Sequence, residues 1–201
     1  DQLCIGLNMG IAGIPWWTTD IGGFYGGDIR DEHFKECLIR WFQWGAFCPV
    51  FRLHGDRDPH TGLPDTLPEG VMPGENILPS GAANEGWSYG EEAYAMFVKY
   101  MELREKLRPV VREAMWQAHK NGTPVMRTLF YEFPDDPQAW EIEDEYLFGD
   151  HLLVAPILEE GQRVRRMYLP AGATWQNLET GEQVEGGAWY DVDAPLDVIP
   201  V

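Results

Sequence analysis

The first half of the chain alternates short apolar runs with longer stretches in which apolar residues recur every three or four positions. Residues 11–17 form one such run, which is too short for a helix and is followed by Asp20 and a glycine pair. Buried parallel strands have this pattern, because both of their faces are covered. Residues 46–53 form a second run that also ends in polar side chains. We therefore predict two parallel strands whose carboxyl ends carry polar groups.

Helical periodicity appears before, between and after these runs. Residues 1–10 predict the end of a helix, and Asp31 is a suitable N-cap for a second helix that runs to Trp44. Residues 91–121 predict one long helix, which Pro109 should kink because proline has no backbone N–H. Strand–helix units with polar groups at the strand ends favour a parallel barrel over an antiparallel arrangement.

The pattern changes near residue 122. Short β-prone runs separated by proline and glycine dominate from there onward, at residues 125–133, 152–158, 164–169 and 189–192. Runs at this spacing indicate an antiparallel sandwich. A complete (β/α)8 barrel needs about 250 residues. The predicted fold is therefore α/β plus all-β, with part of a (β/α)8 barrel in residues 1–122 and an incomplete, small antiparallel β-sandwich in residues 123–201.

Three polar segments outside these elements have simple interpretations. Residues 55–90 are rich in glycine, proline and aspartate and predict a long loop, which should pack over the mouth of an active site because it follows a barrel strand. The pair Asp135-Asp136 predicts turn and capping chemistry. Residues 141–145 predict a solvated acidic face.

The composition argues against several classes of partner. A net charge of −18 disfavours nucleic acid and anionic membranes, and no stretch approaches the roughly 18 apolar residues of a membrane helix. The charge fits a neutral sugar substrate, as it fits most soluble proteins. The three cysteines, Cys4, Cys37 and Cys48, lie in apolar contexts and predict buried thiols rather than disulfides or metal ligands. We expect no cofactor and no metal.

The two ends of the chain predict an internal piece of a longer protein. The sequence has no initiator Met, and it ends on Ile199-Pro200-Val201 within a predicted strand. The absence of a signal peptide therefore leaves the compartment open, with the cytoplasm slightly favoured.

Six blocks of the sequence, in the same order, resemble glycoside hydrolase family 31, which holds α-glucosidases, α-xylosidases and related retaining enzymes. Two of the blocks contain Asp20-Ile21-Gly22-Gly23-Phe24 and Phe51-Arg52-Leu53-His54. The six lie at residues 13–24, 40–47, 51–54, 122–127, 149–156 and 168–170. The resemblance implies the last part of the family's catalytic barrel and the β-sandwich that follows it.

The resemblance also implies where the catalytic residues lie. Retaining glycosidases use two carboxylates roughly 5–5.5 Å apart, one as the nucleophile and one as the acid/base. In the family the nucleophile follows the fourth barrel strand and the acid/base follows the sixth, whereas the segment with Asp20 resembles the seventh. Both catalytic carboxylates are therefore expected upstream of Asp1, and the 201 residues alone are expected to hydrolyse no glycoside.

By the same resemblance, this chain supplies sugar-binding residues: Asp20, Phe24, Arg52, His54 and Trp17. His54 matches a family histidine that hydrogen-bonds sugar hydroxyls, which a neutral imidazole can do as donor and acceptor. Arg52 would orient the catalytic carboxylates or donate to sugar oxygens. Asp20 would accept from two hydroxyls or hold Arg52 in place. Phe24 and Trp17 would stack against a sugar face.

Each of these side chains also has a structural interpretation. Asp20 could cap the next element, His54 could be a buried structural histidine, and Arg52 could form a structural ion pair. With nine tryptophans in the chain, Trp17 could serve the core alone. Because Trp16 and Trp17 are neighbours in a predicted strand, they should point to opposite faces, and only one can reach the pocket.

The predicted function is part of a retaining α-glycosidase that hydrolyses terminal α-linked xylose or glucose from oligosaccharides. Two segments most resemble bacterial α-xylosidases: Pro15-Trp16-Trp17-Thr18-Thr19 and Phe51-Arg52-Leu53-His54-Gly55-Asp56-Arg57. An α-glucosidase of the same family is the alternative, and a non-catalytic carbohydrate-binding or structural module is an alternative of another class. The expected partner is an oligosaccharide or glycoside, and the full-length protein could also form homo-oligomers.

Overall fold

A computed structural model describes residues 1–23, 27–54, 57 and 82–201. The helices are α1 Gln2–Ile11, α2 Glu32–Gly45, α3 Glu91–Lys106, α4 Arg108–Asn121 and the short α5 Leu129–Glu132, with 3-10 turns at Gly86–Tyr89 and Pro137–Trp140. The strands are β1 Met126–Thr128, β2 Tyr146–Phe148, β3 Leu152–Val154, β4 Val164–Leu169, β5 Thr174–Gln176, β6 Gln183–Glu185 and β7 Ala188–Asp193. The predicted loop 55–90 lies mostly outside the described residues.

The strands after residue 122 pair in antiparallel ladders, as predicted. Strands β1, β2 and β3 form one sheet in that order, β4 pairs with β7, and β5 pairs with β6. Strand β4 has the predicted bounds, whereas the predicted run 125–133 gives β1 followed directly by α5. Strand β2 was not predicted, because its three residues follow an acidic segment.

The two predicted parallel strands are not formed as ladders. Their segments lie side by side in the parallel direction, but they share only an isolated bridge between Ile21 and Leu53. One further backbone hydrogen bond joins Val50 N to Trp17 O at 3.3 Å. Parallel strands are stabilised by neighbours on both sides, and within the described residues these two segments pair only with each other.

The helix predictions hold for α2 and need a correction for residues 91–121. Asp31 is the N-cap of α2 and accepts a hydrogen bond from His33 N at 3.0 Å. The predicted single kinked helix is instead two helices that meet at Leu107. Pro109 lacks an N–H and its ring opposes the preceding turn, so it starts a new helix.

The buried apolar side chains form two clusters. The larger joins α1, α2 and α3 to β1 and β2 and contains Leu38, Phe42, Phe97 and Phe148. The smaller lies among the strands of the C-terminal part and contains Leu153. Both halves of the sequence therefore contribute to the larger core.

The prediction of three buried thiols is correct in part. The three cysteines are free: Cys48 is buried, Cys4 is half-buried and Cys37 is exposed. Burial raises the pKa of the Cys48 thiol. Cys37 borders an open cavity together with Trp41 and Trp44, which accounts for its exposure.

The prediction of a solvated acidic face at residues 141–145 is wrong for Glu145. This side chain is fully buried and accepts a hydrogen bond from Tyr168 N at 2.8 Å. Its second carboxyl oxygen is buried without a hydrogen-bond partner among the described residues. Burial raises the pKa of Glu145 to about 8, against smaller opposing effects of the hydrogen bond from Tyr168 N and of the Arg165 charge. Glu145 is therefore mainly protonated at neutral pH.

We expect Glu145→Gln to stabilise the protein at alkaline pH. The unfolded chain loses the Glu145 proton near pH 4.5, whereas the folded protein keeps it up to about pH 8. The contribution of Glu145 to the free energy of unfolding is thus full below about pH 4.5 and falls as the pH rises to about 8. Gln cannot ionise, so the Tm of the Glu145→Gln variant at pH 8 should exceed that of the wild type by about 5 °C or more.

The measurement is Tm from circular dichroism across this pH range, with the exposed Glu141→Gln as the matched control. Parallel Tm profiles for the wild type and Glu145→Gln would contradict the assignment.

Candidate functional site

The bridge between the two parallel segments brings Asp20 and Arg52 together. Each directly precedes a bridged residue, Ile21 or Leu53. Because successive side chains of an extended chain point to opposite sides, Asp20 and Arg52 share the side that faces away from Ile21. The Arg52 guanidinium donates to Asp20 Oδ1 at 2.7 Å. This pair stays partly open to solvent: 56% of the Arg52 side chain and 29% of the Asp20 side chain are exposed.

The turn after Asp20 requires glycine. Gly22 has a φ of +78°, which L side chains rarely adopt, and Gly23 N donates to Asp20 O at 2.7 Å. A Cβ on Gly22 would also lie 2.5 Å from Leu38 Cδ1 and 3.0 Å from Arg57 Nη2. The close packing of α2 and Arg57 on this turn therefore sets the direction in which the chain leaves Asp20.

The residues before Asp20 are fixed against α2. Trp41 Nε1 donates to Thr19 Oγ1 at 2.7 Å. Trp17 is only 6% exposed and packs on Gly6 and Trp44, with its ring centroid 6.1 Å from that of Trp44. Trp16 is 62% exposed. The two tryptophans thus differ in environment as their neighbouring positions predicted, and Trp17 packs in the core.

His54 lies one residue beyond the bridge, and its backbone is held by Asn84. His54 is half-buried, and its carbonyl accepts a hydrogen bond from Asn84 Nδ2 at 2.6 Å. Asn84 in turn contacts Arg57 and Tyr89. These three residues were not among the predicted site residues, because nothing in their local sequence shows that they meet at His54. Phe24, the remaining predicted site residue, lies outside the described residues.

The site offers hydrogen-bonding chemistry suited to hydroxyl groups. Asp20 supplies acceptors, Arg52 supplies fixed donors, and the imidazole of His54 can do both. Within the described part of the chain, no group of three His, Cys, Asp or Glu side chains is placed to hold a metal ion. In that part, too, no helix has the length and hydrophobicity that a membrane span requires.

Two cavities lie away from these residues. One of about 530 Å³ is bordered by α1, α2 and residues 156–160. Another of about 650 Å³ lies among the strands of the C-terminal part, next to Trp175. Asp20, Arg52 and His54 line neither of them.

Comparison with known proteins identifies relatives along the whole chain. The family model described as "Glycosyl hydrolases family 31 TIM-barrel domain" matches residues 1–114. That described as "Glycosyl hydrolase family 31 C-terminal domain" matches residues 122–201. The chain is 34% identical to "Alpha-xylosidase" of Saccharolobus solfataricus, covering 100% of this chain and 24% of that protein.

Two further relatives extend the comparison. "Alpha-glucosidase 2" of Bacillus thermoamyloliquefaciens is 33% identical, over 97% of this chain and 21% of that protein. A crystal structure of a GH31 alpha-xylosidase from a soil metagenome, complexed with xylose, is 58% identical with a TM-score of 0.88. The similarity covers 99% of this chain and 29% of that one. The chain thus spans about a quarter of the length of these relatives.

The packing of Trp17 on Gly6 gives a test of the role of Trp17 in the core. A Cβ on Gly6 would lie 2.0 Å from Trp17 Cη2 and 2.2 Å from Trp17 Cζ2, so Gly6→Ala must displace the indole. Overpacking of this kind costs roughly 1–3 kcal/mol, more than the helix propensity gained from Ala. We expect a lower Tm for Gly6→Ala and recovery in the double variant with Trp17→Phe. Additive effects of the two substitutions would contradict this packing.

Proposed function

The chain belongs to glycoside hydrolase family 31, and on that premise we propose that it forms part of a retaining α-glycosidase. Residues 1–122 would be the last part of the (β/α)8 catalytic barrel, and residues 123–201 the β-sandwich that follows it. The enzyme would hydrolyse terminal α-linked xylose or glucose from oligosaccharides. The observation that carries the proposal is the meeting of Asp20 and Arg52 across the parallel bridge, with His54 beside them.

In this proposal the chain binds the sugar and does not cleave it. Retaining hydrolysis proceeds through a covalent glycosyl-enzyme on one carboxylate, with a second carboxyl group as acid and then base. Both would lie upstream of Asp1. Asp20 and His54 would hydrogen-bond hydroxyls of the sugar undergoing cleavage, and Arg52 would hold the Asp20 carboxylate in place or donate to sugar oxygens.

The α-xylosidase activity is proposed ahead of α-glucosidase activity. The 58% identical structure is that of an α-xylosidase complexed with xylose, and an α-xylosidase is also 34% identical over the whole chain. The α-glucosidase alternative is supported by a relative that is 33% identical. A purely structural module would not need an acceptor, a donor and an imidazole in neighbouring segments, and the presence of all three favours the sugar-binding site of an enzyme over it.

We expect His54→Ala in the full-length enzyme to lower kcat/KM by about a hundredfold or more. The reason is that hydrogen bonds to sugar hydroxyls that strengthen in the transition state contribute several kcal/mol in glycosidases. Asp20→Asn should act in the same direction. The measurement is the hydrolysis of aryl α-glycosides, with the exposed His151→Ala as a matched control and the isolated 201-residue chain as an inactive reference. Wild-type kcat/KM in a folded His54→Ala variant would remove His54 from the site.

The substrate preference gives a separate prediction. We expect the full-length enzyme to cleave aryl α-xylosides faster than aryl α-glucosides. The two sugars differ by a hydroxymethyl group at C5, and a wall that rejects this group discriminates through a single close contact. The measurement is the ratio of kcat/KM for the two substrates. A ratio in favour of the glucoside would replace the xylosidase proposal with the glucosidase alternative.

A further inference from the structure

We propose that Asn84 is a positioning residue, which fixes the backbone of His54 and, through Arg57, the turn that carries Asp20. The proposal rests on the proposed function of His54 and Asp20 in sugar binding. Asn84 itself would not touch the sugar, because its amide is engaged with protein groups on both sides.

The amide of Asn84 makes three hydrogen bonds. Its Nδ2 donates to His54 O at 2.6 Å. Its Oδ1 accepts from Tyr89 Oη at 2.5 Å and from Arg57 Nε at 3.1 Å. An amide oxygen has two lone pairs, so both are used. Burial raises the pKa of Tyr89, which keeps this hydroxyl protonated as a donor. The orientation of the amide is thus set by two donors on its oxygen side, and its N–H is directed at His54.

Arg57 extends this network to the turn after Asp20. Its side chain is almost fully buried, and Nη1 donates to Gly22 O at 3.3 Å. The guanidinium also lies over the Phe34 ring of α2, 5.0 Å from the centroid. Its contact with the turn is possible because Gly22 has no side chain, since a Cβ would lie 3.0 Å from Nη2. Asn84 therefore connects, through one amide, the backbone of both sugar-binding segments.

The other end of the network rests on a rigid part of the fold. Tyr89 is 2% exposed and closes the 3-10 turn that leads into α3. Its ring packs edge-on against Phe97 of α3, at 6.0 Å between centroids. Phe97 in turn packs on Phe42 of α2, with centroids 4.4 Å apart. The backbone of His54 is thus connected to the larger core through Asn84 and Tyr89, although His54 lies in an irregular segment.

The Asp variant separates positioning from stability. Asn84→Asp keeps the shape and the one oxygen that accepts from both Arg57 and Tyr89, but it replaces the N–H that reaches His54 O with a second oxygen. The bond to His54 is therefore lost and replaced by repulsion, while the ion pair with Arg57 preserves the buried network. Tyr89→Phe is the second variant, since it removes one donor that orients the amide and keeps the ring.

The experiment measures kcat per active site in the full-length enzyme on an aryl α-glycoside. Active sites are counted by the covalent glycosyl-enzyme formed with a mechanism-based inhibitor, so loss of folded protein does not affect the result. We expect Asn84→Asp to lower kcat per site by about tenfold, since small displacements of binding groups cost up to about a hundredfold. Tyr89→Phe should give a smaller decrease, and Ser88→Ala in the same turn should match the wild type.

A double-mutant cycle with His54→Ala decides whether Asn84 acts through His54. We expect Asn84→Asp to cause no further loss in the His54→Ala background. The positioning role would be overturned if the losses in kcat per site of Asn84→Asp and His54→Ala multiplied in the double variant. A wild-type kcat per site for both Asn84→Asp and Tyr89→Phe would also overturn it. Either result would leave the proposed function intact. An unchanged kcat/KM for His54→Ala alone would instead overturn the sugar-binding role of His54, and the positioning role with it.

Discussion

Four consecutive backbone carbonyls after α2 receive hydrogen bonds from side chains of other elements, and the position of the site depends on them. Arg104 of α3 donates to Ala46 O and Cys48 O at 2.8 Å and to Pro49 O at 2.9 Å. Tyr146 of β2 donates to Phe47 O at 3.0 Å. A buried carbonyl without a partner costs roughly 1–3 kcal/mol, so an irregular buried segment can exist here only with such donors. This segment leads directly into the strand end that carries Arg52.

The guanidinium that makes these bonds also joins the two halves of the sequence. It lies between the rings of Phe51 and Phe148, at 6.0 Å and 5.6 Å from their centroids. Burial lowers the pKa of Arg104, yet guanidinium stays charged, and the two rings and three carbonyls compensate for the lost water. Phe51 belongs to the Arg52 segment and Phe148 belongs to β2. The Arg104 side chain therefore contacts both this segment and the C-terminal sheet.

The same arrangement occurs at the end of the chain. Arg40 of α2 donates to Ala194 O at 2.8 Å and to Val198 O at 2.7 Å. Its neighbour Gln43 donates to Leu196 O at 2.6 Å. The irregular segments 46–49 and 194–198 are thus stabilised by long side chains rather than by ladders. The Asp20 segment is held in a similar way, by the hydrogen bond from Trp41 Nε1 to Thr19 Oγ1, so Asp20 and Arg52 meet although their segments share almost no strand pairing.

The sequence allowed the parts that depend on local patterns to be predicted. Helix α2 with its Asp31 cap follows from periodicity and capping chemistry within a few residues, and the capping role of Asp136 follows from its turn, where it accepts from Gln138 N at 3.0 Å. Holding Arg52 in place is one of the two roles that the family resemblance implied for Asp20. Glu145 and Asn84 could not be predicted, because their environments are made by residues distant in sequence, 23 positions away for the bond from Tyr168 N and 30 for the bond to His54 O.

The difference between the exposed and buried parts of the site has a physical consequence for ligand binding. The Asp20–Arg52 pair is partly exposed to water, and exposed ion pairs contribute at most about 1 kcal/mol. A hydrogen bond from a hydroxyl to a carboxylate is of similar or greater strength, so in the proposed function Asp20 would exchange one of its contacts for a sugar hydroxyl at little cost. The guanidinium of Arg57 cannot do so because its side chain is buried, and the half-buried amide oxygen of Asn84 already has both lone pairs occupied. The structure therefore combines an adaptable polar pair with a fixed backbone behind it, which is the combination that binding a small polar ligand in one orientation requires.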